Sequence, residues 1–248
     1  MTPEQFFKEN PRVALAFSGG VDSAFLLYEA KRCGAQVNAY YVKTPFQPQF
    51  EYEDALRLTE ALDVPMRTLS LDILQDETVT CNPSNRCYFC KKKIFTAILE
   101  QAKQDGFPLV IDGTNASDDA ADRPGMQALT QLQVRSPLRE WGLTKDEIRR
   151  LSKEANLFTH DKPAYACLAT RIPTGTPITA QLLSKIEYSE ERLKELGFSD
   201  FRVRIFGSCA KIQLRKSQLP LLLQHRTAIV AELKKHYTEV LLDLEVRE

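Results

Sequence analysis

Apolar positions fall into short continuous runs separated by amphipathic stretches. RVALAF at 12–17 is short enough for a buried strand. Residues 21–32 follow with Ala24, Leu27 and Ala30 on one helical face. The alternation continues: a strand is expected over 37–42, an amphipathic helix over 52–62, a strand over 66–71, a helix over 91–105 and a short strand over 109–112 ending at Gly113. This order predicts an α/β fold, a doubly wound and mostly parallel sheet with helices on both faces. Residues 144–155 read as a further helix, with Thr144 placed to cap it and Glu147 completing a capping box.

The pattern changes near residue 173, where Pro173, Gly175 and Pro177 make a linker-like segment. Beyond it a helix is expected over 179–196, stopped by Gly197. Strands over 201–206 and 210–214, a helix over 219–236 and a last strand over 239–246 complete the chain. That is too little chain to repeat the first fold. The expected organisation is an α/β domain over 1–172 and a small C-terminal α+β domain over 173–248.

Composition adds exclusions. The 248 residues are 43% hydrophobic and 27% charged, an ordinary globular balance. Lys plus Arg and Asp plus Glu number 33 each, so no net charge points to nucleic acid as a partner. No apolar run approaches the roughly 18–20 residues that span a bilayer. The opening MTPEQFFKEN lacks the cationic start and apolar core of a signal peptide. A cytoplasmic protein with no membrane partner is expected. In that reducing compartment the six cysteines are not expected to form a disulfide framework.

The first chemistry-bearing motif is Ser18-Gly19-Gly20-Val21-Asp22-Ser23, between a predicted strand and a predicted helix. Glycines let backbone amides approach an anion, and the helix start adds its own donors. Ser18 and Ser23 add hydroxyls, and Asp22 is a candidate ligand for Mg²⁺ that screens phosphate charge. The motif lacks the Gly-Lys-Ser/Thr ending of the Walker loop. It resembles the PP-loop of the N-type ATP pyrophosphatases, which cleave ATP between the α and β phosphates and adenylate an acceptor. The competing reading is a plain Gly-Gly turn before a helix.

The second is Arg86-Cys87-Tyr88-Phe89-Cys90-Lys91, a C-x-x-C pair just before the helix expected at 91–105. Cys167 stands apart, in ACLATRIP at 166–173. Cysteines among basic residues suit metal ligation or sulfur nucleophilicity. Three thiolates can hold a [4Fe-4S] cluster and leave one iron open. One cysteine attacking and losing its own sulfur is an alternative, and so is a zinc site with Cys81 or His160 as a further ligand. Cys33 and Cys209 read as small buried hydrophobes.

Several stretches together resemble the LarE family, ATP-dependent sulfur transferases of nickel-pincer nucleotide synthesis. They are AFSGGVDSAFLL at 16–27, NRCYFCKKKIF at 85–95, DGTNASDDAADRPGMQAL at 112–129, VRSPL at 134–138, GLTKDEIRRLSK at 142–153 and ACLATRIPTGTPIT at 166–179. The resemblance implies a small-molecule substrate, pyridinium-3,5-biscarboxylic acid mononucleotide, whose carboxylates are adenylated by ATP with Mg²⁺ and converted to thiocarboxylates. It implies that sulfur comes either from Cys167 itself, leaving dehydroalanine, or through a [4Fe-4S] cluster on Cys87, Cys90 and Cys167. The presence of all three cysteines points to the cluster-binding branch. Thr170 replaces a serine common in the motif but keeps the hydroxyl. A homo-oligomer, as a hexamer, is a further expectation from the family, with the small domain serving substrate binding or assembly.

The remaining candidates are less specific. Gly113 is expected to allow close backbone approach to the nucleotide at the carboxyl edge of the sheet, with Asp118, Asp119 and Asp122 beyond it and Arg123 near the phosphates. Arg202 and Arg204 alternate on FRVRIF and share one face. By resemblance they clamp the substrate phosphate; Glu190 is a further substrate-binding candidate and Arg171 a further catalytic candidate. The resemblance implies an adenine pocket around residues 40–43 and near Met66. Trp141, His225 and His236 carry no site signal. A tRNA thiolase, an amide-forming synthetase and a non-catalytic nucleotide-binding regulator are the alternatives.

Overall fold

The computed structural model describes residues 1–118 and 124–245. In chain order the elements are α1 (Pro3–Glu9), β1 (Arg12–Ala16), α2 (Val21–Arg32), β2 (Gln36–Lys43), α3 (Gln49–Ala61), β3 (Met66–Ser70), α4 (Glu77–Thr80), α5 (Arg86–Gln104), β4 (Leu109–Asp112), α6 (Pro124–Gln131), α7 (Pro137–Glu140) and α8 (Lys145–Glu154). They continue with α9 (Ala180–Glu195), β5 (Arg202–Phe206), β6 (Cys209–Gln213), α10 (Leu219–Leu233) and β7 (Val240–Leu242). These form two compact units: Met1–Ile73 with Asn85–Lys162, and Leu74–Ser84 with Pro163–Glu248.

The first unit is a four-stranded sheet in the order β3-β2-β1-β4, with every pairing parallel. The expected doubly wound α/β fold is therefore present. A parallel sheet must be covered on both faces. One face packs Val13, Leu15, Val37, Ala39 and Tyr41 among α2, α3 and α8 residues. The other packs Ala14, Tyr40, Val42 and Val110 against Phe95, Ile98 and Ala102 of α5. Alternate residues of each strand thus enter opposite cores, which is why their sequences read as continuous apolar runs. The order reverses at β1: β2 and β3 extend to one side and β4 pairs on the other. In open parallel sheets that switch point is where ligands bind, at the carboxyl ends of the strands.

The capping box on α8 forms as expected, with Thr144 Oγ1 accepting from Glu147 N and Glu147 Oε2 accepting from Thr144 N at 2.8 Å. The N-terminal helix α1 has the same device, Thr2 with Gln5, plus Pro3 in its first turn.

The second unit holds an antiparallel β5-β6 pair joined by a parallel β6-β7 pair. Leu183, Ile186 and Leu193 of α9 are buried, as are Val203, Ile205, Ala210 and Ile212 of the strands. This unit begins after Lys162, before the break expected at 172/173, and it also takes in Leu74–Ser84. Asn82 is the physical reason. It is fully buried, its amide donates to Pro173 O at 2.8 Å and to Thr176 O at 3.1 Å, and its own carbonyl accepts from Gly175 N at 2.8 Å. Ile178 N donates to Thr80 O at 2.7 Å.

Among the described residues no helix is long and apolar enough to cross a membrane.

Candidate active site

In the first unit, Ser18–Ser23 forms the turn from β1 into α2. Gly19 takes φ +71°, which favours glycine, and a Cβ there would sit 3.1 Å from the Cβ of Ala55. Gly20 is the N-cap of α2 and has no side chain to bind the first-turn amides, so that helix end is open to an anion. The serines brace the turn from within. Ser18 N donates to Ser23 Oγ at 3.3 Å, and Ser23 Oγ donates to Gly20 O at 3.2 Å.

Asp22 lies in the first turn of α2. Its Oδ2 pairs with Lys145 Nζ at 2.6 Å, while Oδ1 is buried and finds no hydrogen-bond partner among the described residues. An unused carboxylate oxygen beside an anion-binding turn fits the donor chemistry of Mg²⁺. Lys162 Nζ lies 3.4 Å from Gly19 O, 3.1 Å from Glu51 Oε1 and 2.9 Å from Asp54 Oδ2. Neither lysine is visible as a site residue in the sequence, because nothing in their spacing ties them to a motif more than a hundred residues earlier.

Gly113 follows β4, at the carboxyl edge of the sheet. A Cβ at that position would stand 2.8 Å from Ser23 N and 3.1 Å from Ser23 Cα. The close approach is to the backbone at the start of α2, so this glycine seats the β4 end against the phosphate turn. Asp112 precedes it, buried, accepting from Ser136 Oγ and Thr114 Oγ1 at 2.6 Å each. Burial pushes its carboxyl pKa up, against the pull of those two hydroxyls. Asp118 Oδ2 accepts from Asn115 N at 3.1 Å, which closes the loop. Asp119, Asp122 and Arg123 lie outside the described residues.

The adenine pocket is expected at β2, around residues 40–43, and near Met66. Tyr40 and Tyr41 are buried in the two cores, and Tyr40 donates its hydroxyl to Asp105 at 2.8 Å. Only the strand end, Lys43 and Thr44, reaches the carboxyl edge, and there Lys43 Nζ donates to Gln49 at 2.5 Å.

The C-x-x-C pair is not before the helix but in its opening turns, since α5 starts at Arg86. Three residues apart on one helix, Cys87 and Cys90 share a face. Cys87 is exposed, Cys90 is half-buried, and Arg86 Nη2 lies 4.0 Å from Cys87 Sγ. Among the described residues no three His, Cys, Asp or Glu side chains are gathered as ligands for one metal. The pair fits as two thiolate donors, without a third gathered to it among those residues. Cys81, at the end of α4, is exposed with its Sγ 3.8 Å from Thr78 O, and His160 Nδ1 contacts Leu157 O at 3.0 Å. Burial raises the Cys33 thiol, which agrees with a small hydrophobe.

In the second unit, half-buried Cys167 sits at the head of a single short turn, Leu168–Arg171. Arg171 is 1% exposed and pairs bidentately with buried Glu190, through Nε at 2.8 Å and Nη2 at 3.0 Å. Its Nη1 donates to Ala166 O at 2.7 Å and to Thr170 Oγ1 at 2.9 Å. Thr170 Oγ1 in turn donates to Cys167 O at 2.8 Å, so the hydroxyl retained at this position is used. Glu190 also accepts from the Tyr165 hydroxyl and from Val203 N at 2.9 Å. Burial first, and the Glu190 charge second, push the Tyr165 phenol far up.

Arg202 and Arg204 do share one face of β5. Arg202 Nη2 donates to Ala164 O at 3.1 Å, and Arg204 Nη1 donates to Thr170 O at 2.7 Å. Both guanidiniums therefore border the Cys167 segment. Arg171, the expected catalytic candidate, and Glu190, the expected substrate-binding candidate, pair with one another and hold that segment.

No family model matches the chain. It is 35% identical over 89% of its length to an uncharacterized protein of Synechocystis, covering 82% of that protein. It is 30% identical over 86% of its length to the pyridinium-3,5-bisthiocarboxylic acid mononucleotide synthase of Lactiplantibacillus plantarum, covering 78% of it. Similarity to a tRNA-specific 2-thiouridylase of Clostridium perfringens, also 30%, extends over 61% of this chain and 53% of that enzyme.

Proposed function

We propose that this chain, which belongs to the LarE family of pyridinium-3,5-bisthiocarboxylic acid mononucleotide synthases, is an ATP-dependent sulfur transferase acting on the carboxylates of the corresponding pyridinium mononucleotide. The observation that carries this reading is the juxtaposition, at the switch point of the sheet, of an uncapped helix start with the β4 loop seated on it through Gly113. That is an anion site built from backbone, as phosphate binding by a PP-loop requires.

ATP phosphates take the α2 amides, with Ser18 and Ser23 as hydroxyl donors. The unused Oδ1 of Asp22 is the ligand for Mg²⁺, which when bound screens the phosphate charge. A substrate carboxylate oxygen bonds to the α-phosphorus and pyrophosphate leaves, giving an acyl-adenylate. The Cys167 thiolate then attacks the acyl carbon and expels AMP. Cleavage of its Cβ–S bond, with loss of the Cα proton, leaves the thiocarboxylate and a dehydroalanine. Cys87, Cys90 and Cys167 are the residues to hold a [4Fe-4S] cluster, which would supply a renewable sulfide store. Arg202 and Arg204 are the residues to take the substrate phosphate as paired guanidiniums. Arg171 and Glu190 act as positioning residues. Self-association is supported by apolar side chains left outside on the second unit, Phe206, Leu223 and Leu244.

The test is AMP and pyrophosphate release with pyridinium-3,5-biscarboxylic acid mononucleotide, with mass spectrometry of the product, and a parallel arm with tRNA. Cys167→Ala is expected to abolish thiocarboxylate formation while adenylation continues; a normal thiocarboxylate yield overturns the role of Cys167. Iron and sulfide content after anaerobic purification decides between the two sulfur sources. AMP release with tRNA alone would move the protein to the thiolases.

A further inference from the structure

Two guanidiniums of β5 bracket Cys167. Arg202 Nη2 donates to Ala164 O at 3.1 Å, and Arg204 Nη1 donates to Thr170 O at 2.7 Å. Those carbonyls stand three residues before and three residues after the cysteine. Inside the bracket a second set of bonds holds the chain: Arg171 Nη1 donates to Ala166 O at 2.7 Å, and Thr170 Oγ1 donates to Cys167 O at 2.8 Å. Glu190 ties the two sets together. It pairs with Arg171 and accepts at 2.9 Å from the N–H of Val203, the residue between the two strand arginines. Tyr165 adds a further link. Its hydroxyl donates to Glu190, and its ring centre lies 4.5 Å from the guanidinium carbon of Arg171 and 5.8 Å from that of Arg202.

Arg202 and Arg204 are also the residues given above to the substrate phosphate, and the inference rests on that reading. A guanidinium carries its N–H donors in one rigid plane. An anion held on one edge of that plane fixes the direction of the bonds made on another. A long arginine side chain loses much rotamer freedom when it is held. Once a phosphate has fixed it, its bond to a carbonyl forms without that loss, so the two contacts reinforce one another. We propose that Arg202 and Arg204 hold the substrate phosphate and the Cys167 segment at the same time, so that a bound phosphate monoester orders residues 164–170 and the two arginines are positioning residues for Cys167. The phosphate then sets specificity in the sulfur step as well as affinity. Binding of a group remote from the reaction is used to orient the reacting one, and a substrate that lacks it loses rate and not only affinity.

Hydrogen exchange read by mass spectrometry over residues 164–172 tests this. Wild type and Arg204→Ala are each measured alone, with inorganic phosphate, with pyridinium-3,5-biscarboxylic acid mononucleotide and with its dephosphorylated riboside. In wild type, phosphate and the mononucleotide are expected to slow exchange there about tenfold, the worth of one charge-assisted contact, and the riboside to leave it unchanged. Arg204→Ala is expected to exchange about tenfold faster with nothing added and to lose the response to phosphate. A second readout is thiocarboxylate formed per AMP released, expected to fall about tenfold from mononucleotide to riboside. Phosphate that binds by calorimetry while exchange over 164–172 stays the same overturns the proposal, and so does an equal thiocarboxylate yield per AMP from the riboside. If Arg204→Ala fails to fold, Arg204→Gln, which keeps a donor for Thr170 O, takes its place. A mononucleotide that is not turned over, with inorganic phosphate still slowing exchange, leaves the coupling standing and sinks the substrate reading. Turnover of the mononucleotide with no phosphate effect on exchange sinks the coupling alone.

Discussion

The Ser18–Ser23 turn of the first unit and the Cys167 segment of the second solve the same problem, holding a loop still, by opposite means. The turn relies on backbone: β1 feeds it, α2 leaves it, and glycines fit where a Cβ would collide. Its conformation follows from regular elements on either side, so short-range bonds between Ser18, Gly20 and Ser23 suffice. The Cys167 segment has no strand or helix before it from Pro163 onward and only one short turn after it. It is held by side chains from a distance: Arg171 clamped to Glu190 on α9, Arg202 and Arg204 reaching back from β5. Irregular backbone needs such outside support to hold one conformation, and buried charge supplies direction as well as strength.

The comparison has sharp consequences. Glu190→Gln is expected to have the largest effect, because it leaves the Arg171 guanidinium buried without its counter-charge. Removing one partner of such a pair costs roughly 3–5 kcal/mol, read by urea denaturation, and thiocarboxylate formation should fall with it. A loss under about 1 kcal/mol, the scale of exposed pairs, would break the contrast. Gly113→Ala comes next. Its methyl meets backbone rather than a yielding side chain, so overpacking of about 1–3 kcal/mol is expected, with weaker ATP binding as the β4 loop is pushed off α2. Unchanged ATP affinity would show that the seating does not matter.

Asp243 gives the smallest and most conditional effect. It is the outermost brace of the second loop, since Gln213 donates to it at 2.7 Å and accepts from Arg204 Nε at 2.5 Å. The Lys211 ammonium first, and the Gln213 amide second, hold its carboxyl down to about 2. A depressed carboxylate stabilises the fold above its unfolded value, and that contribution disappears as pH falls through the folded one. Asp243→Asn should therefore lower the melting temperature at neutral pH, with the gap to wild type closing on acidification toward pH 2. A gap that persists at that acidity would assign Asp243 a purely steric role.

How far the sequence can be read follows from the same contrast. The phosphate turn is legible because its signal is local, a strand, two glycines and a helix within a dozen residues. The capping box on α8 is legible for that reason too. The first helix carries an equally local signal, Thr2-Pro3 with Gln5, that periodicity alone passes over. The start of α5 is hard to place, since Arg86 to Cys90 offers little apolar periodicity and its helix is set by packing of later residues such as Phe95 and Ile98. Long-range facts are not legible at all. Nothing in Asn82 announces three carbonyl and amide partners some ninety residues on. Nothing in Lys145 announces Asp22, and Arg171 and Glu190 resemble substrate contacts because a buried ion pair and a ligand clamp use the same residue types.

The excursion of Leu74–Ser84 has a practical corollary. The chain crosses between its two bodies three times, after Ile73, after Ser84 and after Lys162. No single proteolytic nick or truncation separates the two bodies cleanly, and a chain stopped at Lys162 would carry a stretch of orphaned backbone just upstream of the paired thiols. Dissecting this enzyme calls for rewiring its termini rather than shortening them.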